Sequence, residues 1–256
     1  MTAPGPQPAL RIGTSGYRYP HWRGPVYPAG LPEREWFAFY ARHFDSVEIN
    51  NTFYGLPSAE SFRRWREAAP EGFRYALKLS GQITHRRRLH EVAEPLERFL
   101  ERARLLGATL GPILIQLPPR WRPDWNRLDE FLKLLPEDLD FALEVRDARW
   151  LDAALYARLE ARRVALCLHD LIPAHPLRLT ADWTYLRFHG QDYSQPYSPQ
   201  KLAATARRIV GWLAQGIGVH AYFNNDAEGH AFRNALMLKR YLARRGWPAT
   251  ASAGTA

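Results

Sequence analysis

Eight times along the chain, a short run rich in β-branched and aromatic residues gives way to a longer stretch whose apolar residues recur at helical spacing. The short runs are Leu10 to Thr14, Ser46 to Asn50, Phe73 to Leu79, Pro112 to Leu117, Phe141 to Val145, Val164 to His169, Thr184 to His189 and Val219 to Asn224. Between them lie helical patterns such as "SAESFRRWREAA", "EPLERFLERARLLG", "DAALYARLEARR" and "SPQKLAATARRIVGWLAQG", several opened by Ser, Asp or Pro and closed by Gly or a basic turn. Strands this continuously apolar are buried on both faces, which means a parallel sheet covered by helices. Eight units in 256 residues suit a closed (β/α)8 TIM-type barrel better than an open doubly wound sheet, which usually stops at about five or six strands. The expected fold is therefore α/β, with one irregular crossover after the sixth strand, where "DLIPAHPLRLTADW" is rich in proline and has no helical face.

No linker divides this rhythm, so residues 10–246 are expected to form one barrel domain. Residues 1–9 and 247–256, dominated by Pro, Gly, Ala, Ser and Thr, are expected to be flexible tails. The first of these has neither the basic region nor the apolar stretch of a signal peptide, and no apolar run is long enough to span a bilayer. With Cys167 as the only cysteine there can be no internal disulfide, and a cytoplasmic setting is expected, with no membrane partner.

In such a barrel the site is built at the C-terminal ends of the strands. Here those ends carry Ser15, Glu48, Asn50, Lys78, Gln116, Glu144, Arg146, His169, Asp170, Arg187, His189, Asn224 and Asn225. Residues two apart on a strand share a face, so Glu48 with Asn50, Glu144 with Arg146, and Arg187 with His189 should point the same way. One reading is a buried network in which the two glutamates neutralise Lys78, Arg146 and Arg187. The other, which we favour, is a functional pocket, because so many ionisable groups at one rim are costly for stability. On that reading the Glu144–Arg146 pair contributes little to stability.

The loops over this rim add flat and charged surface. "TSGYRYPHWRGPVYP" supplies Tyr17, Tyr19 and Trp22, which could stack on a sugar or a base or simply cover the barrel. "THRRRLH" supplies Arg86, Arg87 and Arg88, either a phosphate grip or a solvated charge run. The formal charge of +9 suits an anionic partner, although arginine's excess over lysine in an Ala- and Leu-rich chain also fits a compositional bias. No metal-binding spacing such as H-E-x-x-H is present, and the cations at the rim would oppose a metal ion, so none is expected. There is no Walker-type or G-x-G-x-x-G loop, Ser15 lies outside a G-x-S-x-G elbow, and Cys167 sits within an apolar strand. A cofactor is left open.

The segments "GTSGYRYPHWRGPVYP", "VEINNTFYGLPSAESFRRW", "FRYALKLSGQITHRRRL", "GPILIQLPP", "FALEVRDARW", "YLRFHG" and "AYFNNDAEGHAFRNA", in this order, resemble domain-of-unknown-function family seventy-two, also called YecE-like. The resemblance runs from about Leu10 to Leu242 and implies a TIM-type barrel, but no established reaction. It singles out Gly13, Ser15, Gly16, Glu48, Asn50, Thr52 to Tyr54, Lys78, Thr84, His85, Gln116, Glu144, Arg146, Arg187, His189, Asn224 and Asn225. Two positions depart from the family pattern: Tyr17 stands where tryptophan is usual, and Asp147 where a histidine follows the Glu-x-Arg pair. The second removes a candidate base or ligand.

Together these readings name Glu48, Lys78, Glu144 and His189 as candidate catalytic groups. Ser15, Tyr17, Asn50, Thr84, His85, Gln116, Arg146, Arg187, Asn224 and Asn225 are the candidate substrate-binding groups. The expected function is an enzyme acting on a small anionic or carbohydrate-like ligand, with the glutamates handling protons and a hydrolase, lyase or isomerase reaction all open. Glycoside hydrolysis would require Glu48 and Glu144 to face each other across a gap of roughly 5 to 9.5 Å. The alternatives are a nucleic-acid-binding or repair-nuclease-like protein and a non-catalytic ligand-binding barrel.

Overall fold

The computed structural model describes residues 8–248. It contains eight parallel strands: β1 (Leu10–Thr14), β2 (Ser46–Ile49), β3 (Arg74–Lys78), β4 (Leu110–Gln116), β5 (Phe141–Glu144), β6 (Ala165–His169), β7 (Trp183–Phe188) and β8 (Gly218–Phe223). The helices are α1 (Trp36–Ala41), the short α2 (Asn51–Tyr54), α3 (Ala59–Ala68), α4 (Ala93–Arg104), α5 (Trp125–Lys133), α6 (Ala153–Ala161), α7 (Pro199–Leu213) and α8 (His230–Ala243). Each expected strand is found within two residues of its expected ends. The start signals hold as well: Ser58, Asp124, Asp152 and Ser198 each accept a hydrogen bond from a backbone N–H in the first turn of the helix they precede. No helix joins β6 to β7, so the proline-rich crossover is irregular as expected. No helix among the described residues is long and apolar enough to cross a membrane.

Hydrogen-bonded neighbours run β1-β8-β7-β6-β5-β4-β3-β2, which leaves β1 and β2 to close the barrel. These two meet through a single bridge, Ser15 to Glu48. Below it the Tyr40 hydroxyl takes the place of ladder bonds, accepting from Thr14 N at 2.9 Å and donating to Ser46 O at 3.0 Å. Gly13 is required at this seam, because a Cβ there would lie 2.1 Å from the Ser46 carbonyl oxygen.

Alternation along the strands sorts the core in two. Ile12, Val47, Leu77, Ile113, Ile115, Leu143 and Leu166 face the helices in one large cluster. The barrel interior is plugged by Ala76, Leu114, Ala142, Ala165, Cys167, Tyr185 and Tyr222. This plug seals the barrel below the strand ends, so the polar groups above it form a floor instead of lining a channel. At the chain ends, Ala9 O accepts from Val219 N, and Trp247, expected in the tail, packs half-buried against the helical layer. Most of both expected tails lies outside the described residues.

Candidate active site

The floor is built around Arg187, projected inward from β7 and 2% exposed. One Nη donates to Glu48 Oε1 and the other to Glu144 Oε2, both at 2.8 Å. Glu48 also accepts from Ser15 Oγ at 2.6 Å and from the Tyr185 hydroxyl at 2.7 Å. Glu144 also accepts from Gln116 Nε2 at 2.8 Å and from Arg146 Nε. Burial raises the pKa of both carboxyls, but the Arg187 guanidinium and these donors outweigh it, so both end below the ordinary carboxylate range, Glu144 the further. Both therefore stay ionised at neutral pH with their oxygens occupied. The space a two-carboxylate glycosidase needs for sugar and water is filled by Arg187, so the arrangement does not fit that chemistry.

Arg146 rises from this floor to the rim, with its side chain 16% exposed. It donates to the Tyr193 hydroxyl at 3.0 Å and to His189 Nε2 at 3.2 Å. Because an arginine can only donate, His189 Nε2 is an acceptor and its proton sits on Nδ1, facing Asp170 Oδ1 at 3.5 Å. Burial lowers the His189 pKa to about 4 despite Asp170, with Arg187 adding to the effect. His189 is fully buried and thus positions Arg146. His169 is tied in the same manner, its Nε2 donating to Val145 O at 2.7 Å and its Nδ1 accepting from Leu171 N. Asp147, in place of the family's histidine, caps its own loop by accepting from Arg149 N.

Lys78, at the end of β3, is different. Its ammonium lies 4.1 Å from the centroid of the Phe53 ring and makes no hydrogen bond or ion pair among the described residues. Burial and the neighbouring Arg187 lower its pKa to about 8, only partly offset by Glu144 and Glu48. Phe53 comes from α2, and its ring is fitted over Gly81, where an added Cβ would approach it to 2.9 Å. His85 and Tyr54 also meet that ring edge-on, at 4.8 and 5.2 Å. His85 Nδ1 is 2.9 Å from Thr84 Oγ1, and its pKa falls to about 4 through partial burial and the adjacent Lys78.

The remaining candidates divide between mouth and scaffold. Asn50 donates to Ser15 O at 3.4 Å, and its Oδ1 is buried with no hydrogen-bond partner among the described residues. Ser15, Tyr17 and Asn50 line a cavity of about 630 Å3 beside the β1–β2 seam, together with Arg18, Arg34, Arg64 and Trp65. Tyr17 itself packs on Phe37 and Tyr40. Asn224 follows β8, half-buried, with its backbone N–H bonded to Phe188 O. Asn225 instead ties down the loop before α7, donating to Gln195 O and to Asn234 Oδ1. Arg86, Arg87 and Arg88 lie exposed after a wide turn at Gln82–Arg86.

Two participants, Tyr185 and Tyr193, were not picked out from the sequence, and Phe53 entered only through the resemblance, within Thr52 to Tyr54. Tyr185 was legible in principle, since it stands two residues before Arg187 on the same strand face. Tyr193 reaches the site only through tertiary packing, and no local pattern marks it. Among the described residues, no group of three or more His, Cys, Asp and Glu side chains is placed to hold a metal ion.

Comparison with known proteins agrees with this architecture. A family model described as "Protein of unknown function DUF72" matches residues 11–254. The chain is 33% identical to the YecE protein of Escherichia coli K12 over 175 residues, which are 66% of this chain and 62% of the relative, so it spans less than two thirds of that relative's length. The crystal structure of a DUF72 family protein from Thermotoga maritima superposes with a TM-score of 0.82 at 27% identity, covering 92% of this chain and 99% of the other. A D-psicose 3-epimerase from Clostridium cellulolyticum, solved with D-tagatose, shares the barrel at a TM-score of 0.55 and 14% identity, covering 91% and 96%.

Proposed function

Because this chain belongs to the DUF72 family, whose description assigns no reaction, we propose from its own geometry that it is an enzyme acting on a small anionic or sugar-like substrate at the barrel mouth. The observation that carries this is Lys78, a cation with no ion-pair partner among the described residues, held beside two carboxylates that both pair with Arg187. A structural lysine so nearly buried would take one of those carboxylates. Left as it is, its amine titrates close to neutrality, which suits proton transfer to and from a substrate.

On this reading Glu48 and Glu144 are fixed charges and not proton carriers. They hold Arg187 and Arg146 in place and bias the site toward a cationic Lys78. Protonated, Lys78 together with Arg146 attracts an anionic group or a developing oxyanion. Neutral, it removes a proton from carbon next to a carbonyl; returning that proton to the adjacent carbon gives isomerisation, and a solvent proton reaching the opposite face of the same carbon gives epimerisation. Asn50 Oδ1, buried with no hydrogen-bond partner among the described residues, would accept from a substrate hydroxyl. Sugar-processing barrels such as the D-psicose 3-epimerase show that this fold accommodates such chemistry, and they support the reading by analogy only.

The test is solvent deuterium uptake. The full chain is incubated in D2O with ketohexoses, their phosphates and aldonic acids, and carbon-bound protons are followed by NMR. Exchange at a carbon next to a carbonyl, lost in Lys78→Met with the fold intact, supports the proposal. Exchange undiminished in Lys78→Met, or no saturable binding by any of these compounds, contradicts it.

A further inference from the structure

The missing helix between β6 and β7 leaves part of the outer face of those strands without its usual cover. In its place is a cavity of about 280 Å3, at the small end of the ~300–1,000 Å3 typical of ligand sites. Its walls are apolar: Leu168 and Leu186 from the strands, Ile172 and Leu177 from the crossover, and Trp212 from α7. Leu177, 51% exposed, forms the open edge of the cavity.

Two of the charged groups come from one helix. Lys201 and Arg208, both on α7 and both solvent-accessible, line the cavity. Lys201 makes a 3.4 Å contact with Asp170, while Arg208 has no hydrogen bond or ion pair among the described residues. His175 Nδ1 donates to Pro176 O at 2.9 Å, so its buried Nε2 is a lone-pair acceptor with no hydrogen-bond partner among the described residues and has no part in holding an anion.

We infer that this cavity is a binding site, separate from the barrel mouth, for a compact apolar carboxylate. The apolar body fills the space the absent helix leaves, and the carboxylate meets Lys201 and Arg208, the planar arginine fork matching its two oxygens. Asp170, which supplies the inner wall, also accepts from His189 N at 3.0 Å, so the site lies one side chain from the support of Arg146.

Calorimetric titration of the full chain with octanoate tests this, with octanol as the body without the charge and acetate as the charge without the body. Octanoate should bind saturably at one site per chain, with both controls at least about tenfold weaker. Replacing the two exposed cations in Arg208→Ala/Lys201→Met should weaken octanoate by about tenfold or more, leave octanol unchanged and leave the melting temperature within a few degrees of the parent. Filling the cavity with Leu177→Trp should weaken octanoate and octanol together. The inference is overturned if octanoate shows no saturable binding, if octanol binds as well as octanoate, or if the double variant binds octanoate undiminished.

Discussion

The two sides of the barrel mouth treat a buried cation in opposite ways. Around β7, Arg187 is shared between Glu48 and Glu144 and each carboxylate is further hydrogen-bonded. Above β3, Lys78 is almost as buried, at 8% exposure, yet among the described residues its ammonium has an aromatic face and no hydrogen-bond or ion-pair partner. On the proposed function, matched burial with unmatched pairing separates scaffold from site: a paired charge holds the mouth in shape, and an unpaired one lowers stability in exchange for a group free to meet substrate.

The largest effect expected from this contrast is on the paired side. Arg187→Met leaves two carboxylates facing each other in a dry place and should cost about 3–5 kcal/mol in denaturant unfolding. Adding Glu48→Gln and Glu144→Gln should recover much of that loss, because the uncompensated charges go with the arginine. Glu144→Gln alone should also be clearly destabilising, since it weakens the hold on both Arg187 and Arg146. Near-neutrality of this variant, which the strand-end pattern alone favours, would return the pair to the unpaired class and blur the contrast.

Lys78→Met should act with the opposite sign. The folded pKa of about 8 lies below the ordinary 10.5, so between those values the unfolded chain binds more protons and stability rises with pH. At pH 7 the full penalty of a charged, buried amine is present, and Lys78→Met should stabilise by about 1–3 kcal/mol. That gain should shrink as pH climbs from 8 toward 10.5. A loss of stability at pH 7 would show that Lys78 belongs to the scaffold.

His189 sharpens the comparison at acid pH. Its folded pKa of about 4 is below the ordinary 6.5, so the unfolded chain binds the extra proton in that window and stability falls as pH drops through it. His189→Gln should flatten this slope and weaken the hold on Arg146, a change of about 1–2 kcal/mol between pH 6.5 and 4. The smallest effect is expected from Arg86, Arg87 and Arg88 together, whose replacement should leave stability within about 0.5 kcal/mol. If they contact phosphate, the replacement makes the salt dependence of oligonucleotide binding shallower by up to about three units; an unchanged slope and affinity ends the nucleic-acid reading of that loop.

The barrel was legible because its signals are local and repeated: apolar runs at strand spacing, capped amphipathic segments between them, and one proline-rich gap. Polar strand ends marked Glu48, Glu144 and Arg187 as neighbours, since period two fixes which side chains share a face. Spacing cannot show how charges are distributed among partners, so it leaves both glutamates as candidate proton carriers, and the proposal that they are fixed charges comes from the position of Arg187 between them. Nor could the sequence separate Asn225, whose amide nitrogen anchors a loop, from Asn50, which lines the cavity beside the β1–β2 seam. The Phe53 ring under Lys78 depends on a turn after β2 meeting Gly81 after β3, a contact between segments that no pattern within either one announces.

The central claim is most directly tested by titrating Lys78 itself. The chain has four lysines, Lys78, Lys133, Lys201 and Lys239, so lysine labelled with 13C at Cε gives few resonances, and the one lost in Lys78→Met assigns itself. The account predicts a midpoint near 8 for that resonance, and a midpoint at the ordinary value of about 10.5 would contradict it.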